Sequence, residues 1–127
     1  MIETNEYVRT KKGIIGELIS ETLSYPEPSE WKLKVNNTEI VIVESEDYPV
    51  NHSKQLIDLI EVGDIVNSCI VVGFGYECVN GNKEKSILVE GKYTKVNFAL
   101  LNWDIKTILT KEQFETNCYK VGGKQWD

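Results

Sequence analysis

The chain has 127 residues, of which 41% are hydrophobic, and a formal net charge of −6. This length predicts a single domain over residues 1–127, and the apolar content excludes an intrinsically disordered chain. No apolar run approaches the roughly 18 residues that span a bilayer, and the acidic start over residues 1–6 is unlike a signal peptide. We therefore expect a soluble cytoplasmic protein with no membrane partner.

The excess of acidic residues lies entirely in the first half of the chain. Residues 1–63 hold 6 basic and 12 acidic side chains, whereas residues 64–127 hold 8 of each. Nucleic-acid binders usually carry the opposite sign of charge, and Arg9 is the only arginine. We therefore expect no direct binding to nucleic acid.

The metal-binding residue types do not form a ligand pattern. His52 is the only histidine and has no partner at a ligand spacing, so we expect no metal site and no cofactor. The three cysteines lack a CxxC spacing, which favours buried, reduced thiols. They are Cys69, Cys78 and Cys118.

The first half of the chain predicts short β-strands joined by tight turns. Gly13 and the pair Asn36-Asn37 tolerate the left-handed backbone that such turns require. Gly16, inside the second strand, indicates a bulge or a close backbone approach. The predicted strands cover residues 7–10, 14–19, 31–35 and 38–44, with loops over 25–30 and 44–49.

Residues 53–67 form the stretch around which we expect the fold to be organised. Leu56, Leu59 and Ile60 make an apolar cluster, and Gly63-Asp64 then interrupts the run before a strand at 65–66. Glycine tolerates positive φ, and aspartate side chains bind nearby backbone N–H groups. The pattern predicts a compact turn that docks on the core and leads into a buried strand.

The second half predicts more strands and one short helix. Thr110 with Gln113 three residues later is a capping-box pattern, which predicts a helix over Lys111–Asn117 that buries Phe114. The predicted strands cover 68–77, 86–90, 105–109 and 118–121, with a hairpin tip at 80–82 and a frayed tail at 124–127. The fold class is therefore mostly β, a small SH3-like or curved β-barrel with one short C-terminal helix.

Three blocks of sequence resemble a known group of proteins. They are residues 7–13 (YVRTKKG), residues 52–54 with 56–67 (HSKxLIDLIEVGDIVN), and residues 104–115 (DIKTILTKEQFE) followed by 119–122 (YKVG). In this order they resemble the opening, middle and ending of a family of small uncharacterised proteins encoded by phages and prophages of Gram-positive bacteria. The resemblance implies a gene carried by mobile DNA and supplies no catalytic residue. Residues 73–101 have no counterpart in it.

Aromatic and basic side chains suggest a ligand pocket. Rings stack on bases and cations meet phosphates, so such a set suits a nucleotide-like ligand. The competing interpretation places most of these aromatics in the core, and we favour it for Trp31 and Trp103. A homo-oligomer, left open by the sequence, would bring several copies of Arg9 together. The candidate ligand-binding residues are Tyr7, Arg9, Lys11, Lys12, Trp31, His52 and Tyr76.

An acidic group near the middle of the first half has two interpretations. The favoured one is a solvated edge that aids solubility. The other is a docking patch for a basic protein surface, as in an inhibitor that mimics nucleic acid. The group consists of Glu39, Glu44, Glu46 and Asp47.

His52 is the one candidate for catalysis, because it titrates near neutrality. Asp47 or Asp58 would have to orient it, and the neighbouring Ser53 would need a fold that turns it towards the ring. We favour a loop histidine and predict no catalytic residue. Gly73-Phe74-Gly75 lacks the lysine and the helix start of a phosphate-binding loop, so it indicates a bent strand.

These observations predict a non-enzymatic accessory binding protein of a phage or prophage, acting in the cytoplasm of the bacterial host. It would antagonise a host defence system, either through a host protein or by sequestering a small nucleotide signal. The alternatives are a small hydrolase that uses His52 and a structural component of the virion.

Overall fold

The computed structural model describes residues 2–23, 28–91 and 96–118. Within these ranges, ten strands form two antiparallel sheets, and one α-helix, α1 (Lys111–Asn117), lies near the end of the chain. The predicted mostly β class with one short C-terminal helix is confirmed. The predicted strand residues 119–121, the tail 124–127 and part of the loop 25–30 lie outside the described residues.

The N-terminal sheet has the order β4-β3-β2-β1-β5. Its strands are β1 (Tyr7–Thr10), β2 (Ile15–Thr22), β3 (Glu30–Val35), β4 (Thr38–Val43) and β5 (Pro49–Ser53). Asn36 and Asn37, with φ of 49° and 66°, make the predicted two-residue turn between β3 and β4. Gly16 is a close approach, because a Cβ there would lie 2.9 Å from the carbonyl oxygen of Lys34.

The C-terminal sheet has the order β10-β6-β7-β8-β9. Its strands are β6 (Ile65–Val66), β7 (Cys69–Val79), β8 (Asn82–Glu90), β9 (Asn97–Leu101) and β10 (Ile108–Leu109). Gly73 and Gly75 lie inside β7, with a register shift between Val71 and Gly73, so the prediction of a bent strand is confirmed. No helix among the described residues combines the length and apolar character needed to cross a membrane.

The stretch 53–67 folds as a turn between the two sheets. A 3₁₀ helix spans Leu56–Leu59, and Gly63 has φ of 99°, so the compact turn is confirmed. Ile57, Leu59 and Ile60 are its buried side chains, while Leu56 is only half-buried. The turn is therefore docked on the core as predicted, with Ile57 replacing Leu56 as the first anchor.

Each sheet carries its own cluster of buried side chains. Strand residues make the N-terminal cluster, whereas the C-terminal cluster also includes Ile57 and Ile60 of the turn. Burying each large aliphatic side chain stabilises the fold by about 1.5–3 kcal/mol. The N-terminal cluster contains Val8, Leu18, Trp31, Leu33 and Ile42. The C-terminal cluster contains Ile57, Ile60, Val66, Val71, Ile87 and Val89.

Arg9 connects the two sheets through a buried network of ion pairs. It lies on β1, its side chain is 1% exposed, and its guanidinium forms a two-pronged pair with Asp64, which is fully buried beside β6. Nη1 also donates to the carbonyl oxygen of Leu59 at 3.0 Å, and Nη2 donates to Glu112 Oε1 on α1 at 2.7 Å. One side chain therefore holds the first sheet, the turn and the helix together.

The guanidinium of Arg9 stays charged although it is buried. Burial alone disfavours the charged guanidinium, but the hydrogen bonds to Asp64 and Glu112 outweigh burial and raise the pKa of Arg9. Asp64 also accepts the backbone N–H groups of Glu61 and Lys111, at 2.8 and 3.0 Å. Both partners of the pair are therefore satisfied, which is what a buried ion pair requires.

The start of α1 is fixed by its cap. The predicted capping box of Thr110 and Gln113 is present, and Thr110 Oγ1 also donates to the carbonyl oxygen of Gly13 at 2.8 Å. The expectation that α1 buries Phe114 is wrong, because that ring is 50% exposed. This two-turn helix contacts the rest of the fold through its N-cap, Thr110, and through Glu112 in its first turn, and not through an apolar face.

We predict that Arg9→Met lowers the free energy of unfolding by about 3–5 kcal/mol, because the apolar replacement leaves Asp64 buried without its partner. Urea unfolding measures the change. Lys32→Met is the matched control, because it breaks the exposed pair with Glu39 and should cost less than about 1 kcal/mol. Equal losses for the two variants would contradict the central role of Arg9.

Gly13→Ala should destabilise the protein more than Gly81→Ala. Both glycines have positive φ, of 88° and 80°, so both variants carry a backbone strain of about 1–2 kcal/mol. Only at Gly13 would the new Cβ meet atoms, including Glu112 Cβ at 2.8 Å, while nothing lies within 4 Å at Gly81. Thermal unfolding should therefore give a clearly lower midpoint for Gly13→Ala than for Gly81→Ala. Identical midpoints would contradict this prediction, because they would show that Thr110 and Glu112 can move away from the new Cβ without destabilising the fold.

Candidate functional site

A cleft of about 390 Å³ lies between the two sheets. One wall comes from β1, β2 and the end of β3, and the other comes from the 3₁₀ helix Leu56–Leu59, the segment before β10, and α1. Volumes of this size are typical of small-molecule sites. Its lining residues are Tyr7, Ile15, Gly16, Glu17, Lys34, Val35, Asn36, Leu56, Ile105, Lys106, Thr107, Ile108 and Gln113.

The cleft combines an aromatic ring, apolar walls and cations. Tyr7 supplies the ring, and Lys34 and Lys106 supply positive charge from opposite walls. Glu17 lies directly opposite Lys34 in the register of β2 with β3, so its negative charge lowers the net positive charge of that wall. Lys106 is then the main source of positive charge in the cleft.

Asn67 holds the wall that carries Lys106. Its backbone is left-handed, with φ of 51°, and its side-chain oxygen accepts the backbone N–H groups of Lys106 and Thr107 at 2.8 and 3.1 Å. Its Nδ2 donates to the carbonyl oxygen of Asp104 at 2.8 Å. Sequence reasoning missed this residue, although an asparagine directly after a strand is a turn signal that points to such a role.

Arg9 and Trp31, two of the predicted ligand residues, belong to the interior. The donors of Arg9 are engaged by the buried ion pairs, so its side chain is not presented to a ligand. Trp31 is a core residue, as the competing interpretation held, and its Nε1 donates to Glu21 Oε2 at 2.7 Å. Trp103, also expected in the core, is 53% exposed, so that expectation is wrong.

The other predicted ligand residues lie on separate surfaces. Lys11 and Lys12 are exposed in the turn after β1, where Lys11 Nζ is 5.5 Å from the centre of the Tyr48 ring. His52 is exposed on β5, and Tyr76 lies on the β7–β8 hairpin. The structure therefore brings only Tyr7, of the seven, into the cleft.

The acidic group does not form one patch. Glu39 pairs with Lys32 at 2.9 Å near one end of β4, whereas Glu44 and Glu46 are exposed in the loop after its other end. Asp47 is 4% exposed, and its Oδ1 accepts the backbone N–H groups of Lys12 and Tyr48. The inclusion of Asp47 in a docking surface is therefore wrong, because its carboxylate holds two turns together.

His52 and Ser53 have separate partners. His52 Nδ1 pairs with Glu6 Oε2, and Ser53 Oγ donates to Asp58 Oδ2 at 2.6 Å. Neither of the expected orienting residues, Asp47 or Asp58, contacts the His52 ring. Because neighbouring residues of a strand face opposite sides, β5 turns the serine away from the histidine. The described contacts thus provide no nucleophile and base in hydrogen-bond reach of each other at this position.

In the part of the chain that the structure describes, no group of three or more histidine, cysteine, aspartate or glutamate side chains is arranged to hold a metal ion. Cys78 is exposed, and Cys69 and Cys118 are half-buried, so the expectation that all three thiols are buried is wrong.

Comparisons with family models, with curated proteins and with solved structures find no match to this chain.

We predict that Asp47→Ala lowers the free energy of unfolding by about 1–3 kcal/mol, because two backbone N–H groups lose their acceptor. Asp47→Asn retains a side-chain oxygen and should cost less. Glu46→Ala, next in the chain but exposed, should change stability by less than about 0.5 kcal/mol. Urea unfolding of the three variants tests the assignment, which fails if Asp47→Ala is as stable as Glu46→Ala.

Proposed function

We propose that this chain is a non-catalytic binding protein that holds a small nucleotide-class ligand in the cleft between its sheets. We further propose that the chain acts in a phage or prophage, as the sequence resemblance described above implies, and counters a host defence system by sequestering a nucleotide signal. The cleft is the observation that carries this proposal.

The lining chemistry supports a ligand with a ring and a phosphate. A base stacks on the face of an aromatic ring such as that of Tyr7, and a lysine binds a phosphate as a point charge. Because Glu17 offsets Lys34, the cleft favours a ligand of low negative charge, such as a cyclic nucleotide or an ADP-ribose-type molecule, over a triphosphate. The Nε2 group of Gln113, whose Oε1 already accepts from Thr110, and the hydroxyl of Thr107 add groups that can bind base or sugar edges.

A host protein partner is the second candidate. Glu44 and Glu46 are exposed in one loop, which supports a small acidic contact with a basic surface. The contact would be smaller than the four-residue patch, because Asp47 is internal. Charge reversal at Glu44 and Glu46 would abolish protection of a phage from the defence only under this second candidate.

Isothermal titration calorimetry tests the nucleotide proposal. We expect 3′,5′-cyclic AMP, a cyclic dinucleotide or ADP-ribose to bind with a micromolar or tighter dissociation constant. Lys106→Glu and Tyr7→Leu should each weaken the best ligand by about tenfold or more, since each removes one recognition element.

Lys54→Glu is the matched control, because Lys54 is exposed and pairs with Glu3 outside the cleft. The Lys54→Glu variant should bind the best nucleotide ligand with the same affinity as the unaltered chain. No detectable heat with any of the three ligand types, or equal losses for Lys54→Glu and Lys106→Glu, would exclude the cleft as the site.

A further inference from the structure

The strand β4 forms an open edge of the N-terminal sheet. It is the last strand in the order of that sheet and pairs only with β3. Its six residues make it the longest of the four strands at the sheet edges. Of the other edges, β5 begins with a proline, β10 has two residues, and the N–H of Leu101 at the end of β9 is bound by Asp104 Oδ2. β4 is therefore the longest unpaired edge in the part of the chain that the structure describes.

The pairing of β4 with β3 determines which of its backbone groups face outward. Just beyond the two strands, the N–H of Glu44 donates to the carbonyl oxygen of Ser29 at 2.9 Å. Hydrogen-bonded pairs alternate with non-bonded pairs along an antiparallel ladder, so every second residue before Glu44 bonds to β3 in the same way. The residues between them turn their N–H and C=O groups away from β3. These outward-facing residues are Glu39, Val41 and Val43.

Most of the outward groups have no partner. The carbonyl oxygen of Val43 accepts the N–H groups of Glu46 and Asp47, at 2.8 and 2.9 Å. Among the described residues, no hydrogen bond reaches the other outward groups, which are the N–H groups of Glu39, Val41 and Val43 and the C=O groups of Glu39 and Val41. Such a row of unpaired backbone groups is a template for an added strand.

The sequence of β4 lacks the usual protection of a sheet edge. Natural edges are commonly blocked by proline, by lysine or by a bulge. β4 has the sequence Thr-Glu-Ile-Val-Ile-Val, and its register with β3 is unbroken from end to end. Its single charged residue, Glu39, is already paired with Lys32 at 2.9 Å. Because Val41 is 56% exposed, an added strand would bury apolar surface as well as backbone groups.

One end of this edge carries unpaired negative charge. Glu44 and Glu46 lie in the turn after β4, and Glu30, opposite Val43, lies at the adjoining start of β3. All three glutamates are exposed, and none has an ion pair with a described residue. An incoming strand is therefore favoured if it carries lysine or arginine at this end.

We propose that β4 binds an extended, basic segment of a partner protein by strand addition. The segment lies antiparallel to β4, because this continues the antiparallel sheet with the more stable type of pairing. Its backbone pairs with the outward groups of Glu39, Val41 and Val43. Lysine or arginine at its N-terminal end faces Glu44 and Glu46, and an apolar side chain covers Val41.

This contact supplies a binding mode for the host-protein candidate described above and rests on that candidate. It is independent of the nucleotide cleft, because no residue of β4 lines the cleft. The chain itself has a net charge of −6, so like-charge repulsion disfavours a second copy at this edge and favours a cationic partner.

Hydrogen exchange measured by NMR tests the proposal with a defined probe. The probe is the acetylated and amidated peptide Lys-Lys-Val-Thr-Val-Thr-Val, for which we expect a dissociation constant on the order of 10–100 µM. Saturating peptide should slow the exchange of the Glu39, Val41 and Val43 amides by about tenfold or more, because each becomes hydrogen-bonded. The amides of Ile40 and Ile42, already bonded to β3, should change little. No added protection of the outward amides overturns the proposal.

A second peptide, with two glutamates in place of the lysines, tests the role of charge. It should bind the unaltered chain at least about tenfold more weakly than the lysine peptide. Glu44→Lys should weaken the lysine peptide by about fivefold, because it removes one attraction and adds a repulsion. Glu77→Lys is the matched control, because it makes the same change of charge at an exposed position on β7. Equal affinity for both peptides, or equal losses for the two variants, contradicts the proposal.

Val41→Pro tests the strand addition itself. Proline removes the outward N–H of Val41 and is tolerated on an edge strand where that N–H faces solvent. The variant should keep the circular dichroism of the folded chain and lose peptide binding. Val41→Lys is a second variant that leaves the backbone unaltered; it should weaken the lysine peptide by about tenfold without lowering the thermal midpoint. Unchanged binding by either folded variant overturns the proposal.

Two further outcomes separate the proposed contact from its alternatives. Protection of the outward amides that appears without peptide and rises with the concentration of the chain would identify a second copy as the occupant and overturn the proposal. In infected cells, Val41→Pro and the double variant Glu44→Lys with Glu46→Lys should both abolish protection of the phage. Loss with the double variant alone would keep the host-protein candidate and overturn β4 as its contact. The nucleotide calorimetry is unaffected by either outcome, so the cleft is tested separately.

Discussion

The pair between Arg9 and Asp64 is the contact on which the arrangement of this protein depends. Each sheet has its own apolar cluster, so hydrophobic burial alone stabilises the two sheets without specifying how they meet. A buried guanidinium must have its donors satisfied in defined directions, and the turn, β6 and α1 supply acceptors for them. The ion pairs therefore select one relative orientation of the two sheets.

The same constraint shapes the cleft. Tyr7 and Arg9 are two residues apart on β1, so their side chains lie on one side of the strand. Arg9 joins the sheets at one point, and Tyr7 lines the space that remains between them a few ångströms along the strand. Glu112 binds Arg9 while Gln113, the next residue of α1, lines the cleft. A ligand that contacts both walls would thus sit against the most constrained part of the molecule.

Local signals in the sequence were reliable where short-range chemistry decides the structure. The turn at Asn36-Asn37, the close approach at Gly16, the turn at Gly63 and the capping box at Thr110 all follow from backbone preferences or from a side chain bonding its own segment. Most of the strands were predicted for the same reason, although β2 runs three residues beyond its predicted end, β8 begins four residues before its predicted start, and β5 and β9 were not predicted as strands. Of the candidate ligand residues, the structure places Tyr7 in the cleft, but the sequence did not indicate the opposite wall.

Residue type alone was misleading where the outcome depended on distant partners. Residue type alone predicts Arg9 as a phosphate ligand, Asp47 as an exposed acidic residue and Phe114 as a core residue. The environment of each side chain is nevertheless set by segments that are distant in the chain. By itself, the amino-acid sequence determined a mostly β chain with its turns, its helix start and its docked 53–67 stretch. Only the tertiary structure decided that Arg9 is internal, that a cleft separates the sheets, and that Phe74 and Tyr76 on β7 are exposed. The physical reason is that turns are stabilised within a few residues, whereas burial and ion pairing arise from contacts such as Arg9 with Glu112, 103 residues apart.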